Sequence, residues 1–118
     1  MSDVETQLVA ALLADIGITN LVGDRIYHIV LPDDAAYPAL SYNVIYEQPL
    51  ASGNCRQARI QCTPWAETFP GVKGVKNALI AFSNGQPNAS YLVGPDLYDE
   101  ESQLYHQPVD LILFLRGD

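Results

Sequence analysis

Positively charged residues are scarce in this chain. Its 118 residues contain six Lys and Arg against 14 Asp and Glu, which gives a formal net charge of −8. Affinity for nucleic acid depends largely on Lys and Arg side chains that displace the counterions of the phosphates. The charge therefore argues against a nucleic-acid binder, and it favours a protein that stays soluble or past which DNA slides without sticking.

Long hydrophobic runs are also missing. The longest unbroken apolar run covers residues 8–14, and the C-terminal run covers only 111–115, whereas a membrane helix needs roughly 20 apolar residues. Asp3 and Glu5 lie where a signal peptide would carry Lys or Arg. The sequence thus predicts a protein that is kept in a cytosol and does not enter a membrane. Residues 1–118 are long enough for one domain with its own hydrophobic core.

Cysteines are few, and their spacing argues against a disulfide or a metal site. Cys55 and Cys62 lie seven residues apart in one predicted strand, which places them on opposite faces and about 23 Å apart. A disulfide needs Cα atoms within about 7 Å, so we expect free thiols in a reducing compartment. Neither a CxxC motif nor a histidine at ligand spacing accompanies them, and we predict no metal and no cofactor.

The chain has only two histidines, which leaves little material for catalysis. The acids nearest to them in sequence are Asp24, Asp33 and Asp34 for His28, and Asp110 for His106. A His–Asp dyad of a small hydrolase is one interpretation. However, the serines lack the GxSxG context of a nucleophile, so the pattern favours histidines that are ordinary surface or strand residues. We predict no catalytic residue.

Two helices are predicted from apolar residues at helical spacing. The first covers about residues 3–16, with a capping box at Ser2 and Glu5 and a stop at Gly17. Its stripe is Val4, Leu8, Ala11, Leu12 and Ile16. Residues 18–24 are interpreted as one further helical turn that ends at Gly23. The second helix covers residues 68–83, with a buried stripe of Val72, Val75, Leu79 and Phe82.

Two glycines make it ambiguous at which residue the second helix begins. Gly71 and Gly74 each cost about 1 kcal/mol relative to Ala inside a helix. Either the helix begins near Gly74, or the glycines allow a close contact with the sheet.

Four or five strands are predicted, with the last one, residues 103–115, as the centre of the fold. The earlier strands cover residues 25–29, 39–47, 56–63 and 89–93, and residues 48–54 form a flexible hairpin arm. Alternation in the strand 56–63 directs Ala58, Ile60 and Cys62 inward. The last strand is predicted to be covered on both faces from residue 111 onward, with an edge or a bulge at Pro108. Tyr27, Tyr42, Tyr46 and Tyr91 are assigned to the core.

Together these elements predict an α+β fold in which a mostly antiparallel sheet of four to five strands packs against two helices. A long hydrophobic strand with an open edge promotes association unless another element covers it. We therefore expect the fold to complete its burial against a partner.

Three segments carry a resemblance to a known family. They are LVGDRIYHIVLPDDAAYPALSYNVI at residues 21–45, ARIQCTPWAETFPGVKGVKNALIAF at 58–82 and DLYDEESQLYHQPVDLILF at 96–114. The V-G-D-R-I-Y turn, followed by P-A-L-x-Y, resembles the small tail completion or tail terminator proteins of tailed phages and prophages. These are related to the lambda-type terminator and to tail-to-head joining proteins.

The resemblance implies a virion structural protein without an active site, cofactor or metal. Such proteins form a homo-oligomeric ring, usually a hexamer, on the last ring of the tail tube, where they stop tube growth and present the surface that joins the head. The implied partners are further copies of the chain, the tail tube protein and head-completion or neck proteins. DNA passes through the lumen without specific binding, and no membrane is involved. The implied location is the tail or neck of the virion, and the host cytoplasm during assembly.

The expected contact residues are Leu50, Arg56, Asp33 and Asp34, which we predict to face a neighbouring subunit, the tube or the lumen. Leu50 is an apolar residue within the predicted arm, and such a segment is suited to become ordered on docking. Two alternatives stay open: another neck or head-completion adaptor of the virion, and a small hydrolase that depends on His28 or His106.

Overall fold

The computed structural model describes residues 4–50 and 55–116, with side chains up to residue 114. In chain order the elements are α1 (Val4–Leu13), α2 (Ile16–Val22), β1 (Ile26–His28), β2 (Ala39–Pro49), β3 (Cys55–Ala66), α3 (Phe69–Asn84), β4 (Ser90–Val93), β5 (Leu97–Asp99), β6 (Leu104–His106) and β7 (Val109–Arg116). Within the described residues, three helices accompany one seven-stranded sheet. The predicted α+β class is confirmed. The sheet is mixed rather than purely antiparallel, because β1 pairs with β2 in parallel.

The central order of the sheet is β2, β3, β7 and β4, and all three of these pairings are antiparallel. At the other end of β3, Trp65 and Ala66 pair with β6, which pairs in turn with β5. The predicted strand at residues 103–115 is therefore two strands. Pro108, which has no N–H, separates them, and its carbonyl accepts a hydrogen bond from the Gly94 N–H at 2.8 Å.

The predicted first helix ends at Leu13 instead of residue 16, and the helical turn predicted at residues 18–24 is α2, which begins earlier, at Ile16, and ends at Gly23 as expected. The Asp15 side chain caps α2 by accepting a hydrogen bond from the Ile18 N–H at 3.1 Å. This local cap competes with continuation of α1, so the chain turns at Asp15, and Gly17 lies inside α2 instead of ending α1. Among the described residues, no single helix is long and apolar enough to cross a membrane, and α1 and α2 reach that length only as a pair bent by 85°.

The start of α3 resolves the question of the glycines. Thr68 caps the helix by accepting a hydrogen bond from the Gly71 N–H at 3.2 Å. A Cβ atom at Gly71 would lie 2.9 Å from the Cβ of Ala66, the last residue of β3. The close-contact alternative is thus confirmed at Gly71. At Gly74 a Cβ would meet only Leu21 of α2, at 4.0 Å.

The hydrophobic core lies between the three helices and one face of the sheet, here called the helix-side face. Its members include Leu8, Leu12, Ile18, Leu40, Tyr42, Ala58, Ile60, Cys62, Val75, Leu79, Val109 and Leu111. Burial confirms the predicted stripe of the second helix, the inward set of β3 and, in the first helix, Val4, Leu8 and Leu12. The inclusion of Ile16 in the first stripe is wrong, because this residue lies beyond the turn at Asp15 and is 72% exposed. The assignment of Tyr46 and Tyr91 to the core is wrong, because both are exposed, and Tyr27 is half-buried.

The opposite face of the sheet, here called the outer face, is only partly covered. On β7 the outer residue Ile112 is half-buried, and Phe114 is 39% exposed. The prediction that this strand is covered on both faces is therefore wrong. Apolar side chains on an open face are typical of an interaction surface.

A β-bulge in β2 explains the exposure of Tyr46. The register shifts between Val44 and Tyr46, which leaves Ile45 as the additional residue. Because side chains alternate with a period of two, the extra residue moves Tyr46 to the outer face and Glu47 to the helix-side face. The sequence pattern alone, read without a bulge, predicts the reverse.

The β2–β3 hairpin extends as an arm, and β7 runs beside it. Pairing continues to Pro49 opposite Arg56 and to Cys55 opposite Arg116. The predicted flexible arm at residues 48–54 thus begins as strand, with the Gln48 amide donating to the Gln57 side chain at 2.9 Å. Residues 51–54 lie outside the described residues. The molecule measures 45 × 25 × 23 Å.

Candidate interaction surface

Two of the predicted contact residues lie at the arm. The Leu50 N–H donates to the Cys55 carbonyl at 3.0 Å and closes the described part of the hairpin. Arg56 donates to the Glu47 carboxylate at 2.6 Å, with both side chains about a third or more exposed. An exposed ion pair of this kind contributes at most about 1 kcal/mol to stability. Its charges therefore remain available to a partner.

The other two predicted contact residues lie in the loop between β1 and β2. Asp33 and Asp34 are both exposed. Asp33 lines a groove of about 540 Å³ whose other members include Ile29, Val30, Leu31, Tyr37, Trp65 and Leu104. Trp65 lies nine residues along β3 from Arg56, which corresponds to about 30 Å of strand. The structure does not bring the two pairs together, because they occupy opposite ends of the sheet.

His106 lies beside this groove. Its ring stacks on Trp65, with ring centroids 4.1 Å apart. Partial burial lowers the pKa of His106, although the negative charge of Asp99 opposes this shift. Asp99 itself accepts a hydrogen bond of 2.7 Å from the Ser102 hydroxyl, which lowers the pKa of the Asp99 carboxyl. Ser102 therefore donates to the carboxylate and is not paired with the imidazole as a nucleophile would be.

Among the residues that the structure describes, neither histidine forms a hydrogen bond with the aspartates that lie near it in sequence. Arg59 donates to the Asp110 carboxylate at 2.9 and 2.7 Å, and Gln61 donates to it at 3.2 Å. His28 lies against Tyr42, with centroids 5.1 Å apart. In the part of the chain that the structure describes, no group of three His, Cys, Asp or Glu residues is placed to hold a metal ion.

The Arg59–Asp110–Gln61 cluster lies in the middle of the outer face and was missed by sequence reasoning. Asp110 is only 8% exposed. Its ionic partner is 51 residues away in sequence, so local pattern gives no signal beyond one acid within an apolar strand. Burial, assisted by the negative charge of Asp110, raises the pKa of Cys62 on the opposite face of β3 to about 12.

Within the described residues, the outward edges of β1, β4 and β5 and the free part of β2 have no strand partner, and two of these edges belong to the four central strands. The first is the free part of β2, residues 43–49, because β1 pairs only with residues 40–42. The second is the outward edge of β4, whose four residues are all exposed. Exposed apolar side chains cluster at both edges: Ile45 and Tyr46 at β2, and Tyr91, Leu92 and Val93 at β4. Open edges with apolar side chains favour pairing with another chain.

Comparisons with known proteins give a family match and a structural match. The family model described as tail completion protein gp17 matches residues 6–113. The fold is similar to a chain of the virion of a native gene transfer agent (GTA) particle, with a TM-score of 0.62 and 17% sequence identity over 92% of this chain and 90% of that chain. No curated protein gives a significant match.

Proposed function

Because the chain belongs to the tail completion protein gp17 family, whose model matches residues 6–113, we propose that it closes the end of a phage tail tube as a homo-oligomeric ring. In this proposal residues 1–118 act as one tail-terminator-like domain without enzymatic activity. The ring, with six subunits as the expected number, ends polymerisation of the tube and presents the surface to which the head attaches. The protein then belongs to the tail or neck of the virion and assembles in the host cytoplasm.

The open strand edges support self-association. The free part of β2 and the edge of β4 lie on opposite sides of the central strands. An interface between two different edges is heterologous, and it closes into a ring when the rotation between subunits fits. An edge that paired with the identical edge of a second copy would give a dimer only.

The two ends of the sheet support two further partners. Leu50 and Arg56 at the arm and Asp33 and Asp34 at the opposite end are about 30 Å apart along β3. A ring of such subunits presents one set to the tube and the other to the neck proteins. The net charge of −8 repels DNA, so a genome can pass the lumen without being held.

The family match over residues 6–113 carries the proposal, and tail tubes lacking their end protein test it. Purified protein is added to such tubes, and the ends are viewed by negative-stain electron microscopy. We expect a disc at one end of each tube and no further elongation when tube protein is supplied. Tubes that keep growing and never acquire the protein contradict the proposal. Protein found on portal-side components but never on tubes identifies a neck adaptor instead.

A further inference from the structure

The groove of about 540 Å³ at one end of the sheet, here called the loop groove, lies between two connecting segments. Residues 29–33, which follow β1, line one side, and Asp99 of β5 lines the other. The order β1, β2, β3, β6, β5 places Trp65 of β3 and Leu104 of β6 between them. Binding clefts measure about 300–1,000 Å³, so the loop groove has room for a short segment of another molecule.

Two apolar side chains of the loop groove are exposed in a conformation that is unfavourable for folding. Ile29 is 61% and Val30 69% exposed. The backbone of Ile29 has a φ of 70°, in the left-handed region that β-branched residues rarely adopt. It is held there by hydrogen bonds from the Ile29 N–H to the Tyr42 carbonyl at 2.9 Å and from the Val30 N–H to the His28 carbonyl at 2.8 Å. Strain of this kind is concentrated at functional sites.

The remaining side chains of the loop groove are fixed by contacts within the chain. The Trp65 indole N–H donates to the Ser41 hydroxyl at 2.9 Å, and the His106 ring stacks on the indole. The Asp99 carboxylate accepts the hydrogen bond from Ser102. A site that is already formed loses less conformational entropy when a partner binds. Tryptophan is also among the residues that contribute most to binding energy at interfaces.

The charge of the loop groove is negative. Among the described residues that line it, the charged ones are Asp33 and Asp99, and none is Lys or Arg. An acidic segment would be repelled by these carboxylates, whereas Lys or Arg would be attracted. The loop groove is therefore complementary to a segment in which large apolar side chains lie next to Lys or Arg.

A second copy of this chain does not fit that description. It carries the same net charge of −8, with only six Lys and Arg. Four of these six cations already contact acceptors of their own chain: Arg25, Arg56, Arg59 and Lys73. The charge of the loop groove thus favours a different protein as its partner.

We propose that the loop groove binds an extended segment of a head-side neck protein, in which large apolar side chains lie next to Lys or Arg. The apolar side chains contact Ile29, Val30 and Trp65, and the cations face Asp33 and Asp99. This inference rests on the proposed capping of the tail tube and specifies the partner at one end of the sheet. A preformed groove suits the joining of two finished structures, because this side of the contact does not have to fold during the encounter.

Photo-crosslinking from the loop groove tests the identity of the partner. Val30 is replaced by the photoreactive amino acid p-benzoylphenylalanine, and capped tails that carry this variant are mixed with heads of the same phage and irradiated. We expect a cross-link to a head-side neck protein, within a peptide that mass spectrometry shows to have large apolar residues next to Lys or Arg. The same amino acid at Asn77, which is exposed on α3, is the control and should give no such product.

The outcomes separate this inference from the proposed function. Capped tails that join heads without the cross-link overturn the groove contact, while the capping function remains. A cross-link to a second copy, to the tube protein or to a segment without Lys or Arg also overturns the inference. Wild-type protein that never caps tube ends overturns both proposals.

Replacement of Ile29 separates binding from folding. Ile29→Gly removes a large apolar contact, and it also relieves the left-handed backbone, which glycine adopts readily. We expect this variant to unfold at a higher temperature than the wild type but to join heads about tenfold less well. A damaged fold cannot produce both effects. Unchanged joining of heads by this variant contradicts the proposal.

A charge reversal gives a further, independent measurement. Asp33→Lys should lower the affinity of capped tails for heads at least tenfold, because it opposes the cations of the partner. Glu100→Lys makes the same change of charge at an exposed residue outside the groove lining and should cost less than about threefold, since salt screens more distant charges. Equal losses in the two variants contradict a specific role of the loop groove.

Discussion

The two cysteines of β3 differ in chemistry because alternation places them on opposite faces. Cys62 is buried, with its pKa raised to about 12, whereas Cys55 is exposed. The thiolate is the nucleophile, so Cys62 is inert in the folded protein. We expect one labelled thiol per native chain and two in denaturant, measured by mass spectrometry after iodoacetamide treatment. A Cys55→Ser variant should show none in the native state, and rapid native labelling of that variant would contradict the burial of Cys62.

His106 links stability to pH. Burial lowers the pKa of this histidine in the folded state from 6.5, so below that pH the unfolded chain binds the proton more readily. As far as His106 is concerned, the free energy of unfolding should therefore be highest and constant above pH 6.5. It should fall as the pH drops from 6.5 toward the lowered pKa of His106. Urea unfolding at several pH values measures this slope. Replacement His106→Phe, which keeps an aromatic ring on Trp65, should remove it.

The Asp99 charge provides the control for this pH dependence. Asp99 raises the pKa of His106 against the effect of burial. In an Asp99→Asn variant the pKa of His106 should fall further, and the loss of stability below pH 6.5 should become larger. An unchanged slope in both variants would show that another group causes the pH dependence.

The burial of individual residues could be predicted from the sequence for a strand that packs one face against the helices. Ala58, Ile60 and Cys62 were placed inward by alternation alone, and the structure confirms them. The ionic cluster around Asp110 could not be predicted, because its arginine lies on another strand 51 residues away. Only the pairing of β3 with β7 brings these side chains together.

At the scale of elements, the two glycines of α3 should respond in opposite ways to Ala. Gly74→Ala has room, since the nearest atom is the Leu21 Cδ1 at 4.0 Å, and should stabilise the protein by about 0.5–1 kcal/mol through helix propensity. Gly71→Ala would place its Cβ 2.9 Å from the Ala66 Cβ and should destabilise it by about 1 kcal/mol or more. Thermal unfolding of this matched pair measures both effects, and equal stabilisation would contradict the close contact.

The elements were predictable in kind, and their breaks were not. Thr68 to Phe82 shows clear helical spacing, and α3 follows it closely. The predicted first helix ends early, at Leu13, because the Asp15 side chain caps α2, and β7 is separated from β6 at Pro108. The bulge at Ile45 reversed the faces of Tyr46 and Glu47, since one inserted residue is invisible in an alternating pattern.

At the scale of the whole molecule, changes at the two ends of the sheet should affect different partners. Leu50→Asp with Arg56→Glu changes the arm, and Asp33→Asn with Asp34→Asn changes the opposite end. We expect each double variant to lose at least tenfold in only one of two activities, binding to tube ends or joining of heads to completed tails. In vitro complementation counted by electron microscopy measures both. Asn77→Lys on the exposed side of α3 is the control, and loss of both activities in both variants would contradict the separation.

The fold class followed from composition and periodicity, whereas the interaction surface did not. Open strand edges depend on which strands pair, and this is a property of the tertiary fold. The sequence singled out Leu50, Arg56, Asp33 and Asp34 as one set, while the folded chain distributes them to two ends.

The hydrogen-bond register of the β2–β3 hairpin limits how the length of this arm can change. Its closing hydrogen bond, from the Leu50 N–H to the Cys55 carbonyl, exists only at every second pair of an antiparallel ladder. Insertions that add two residues to each strand keep this closing pair in the same orientation. Insertion of a single residue pair turns it to the other face, unless a bulge like the one at Ile45 restores the alternation.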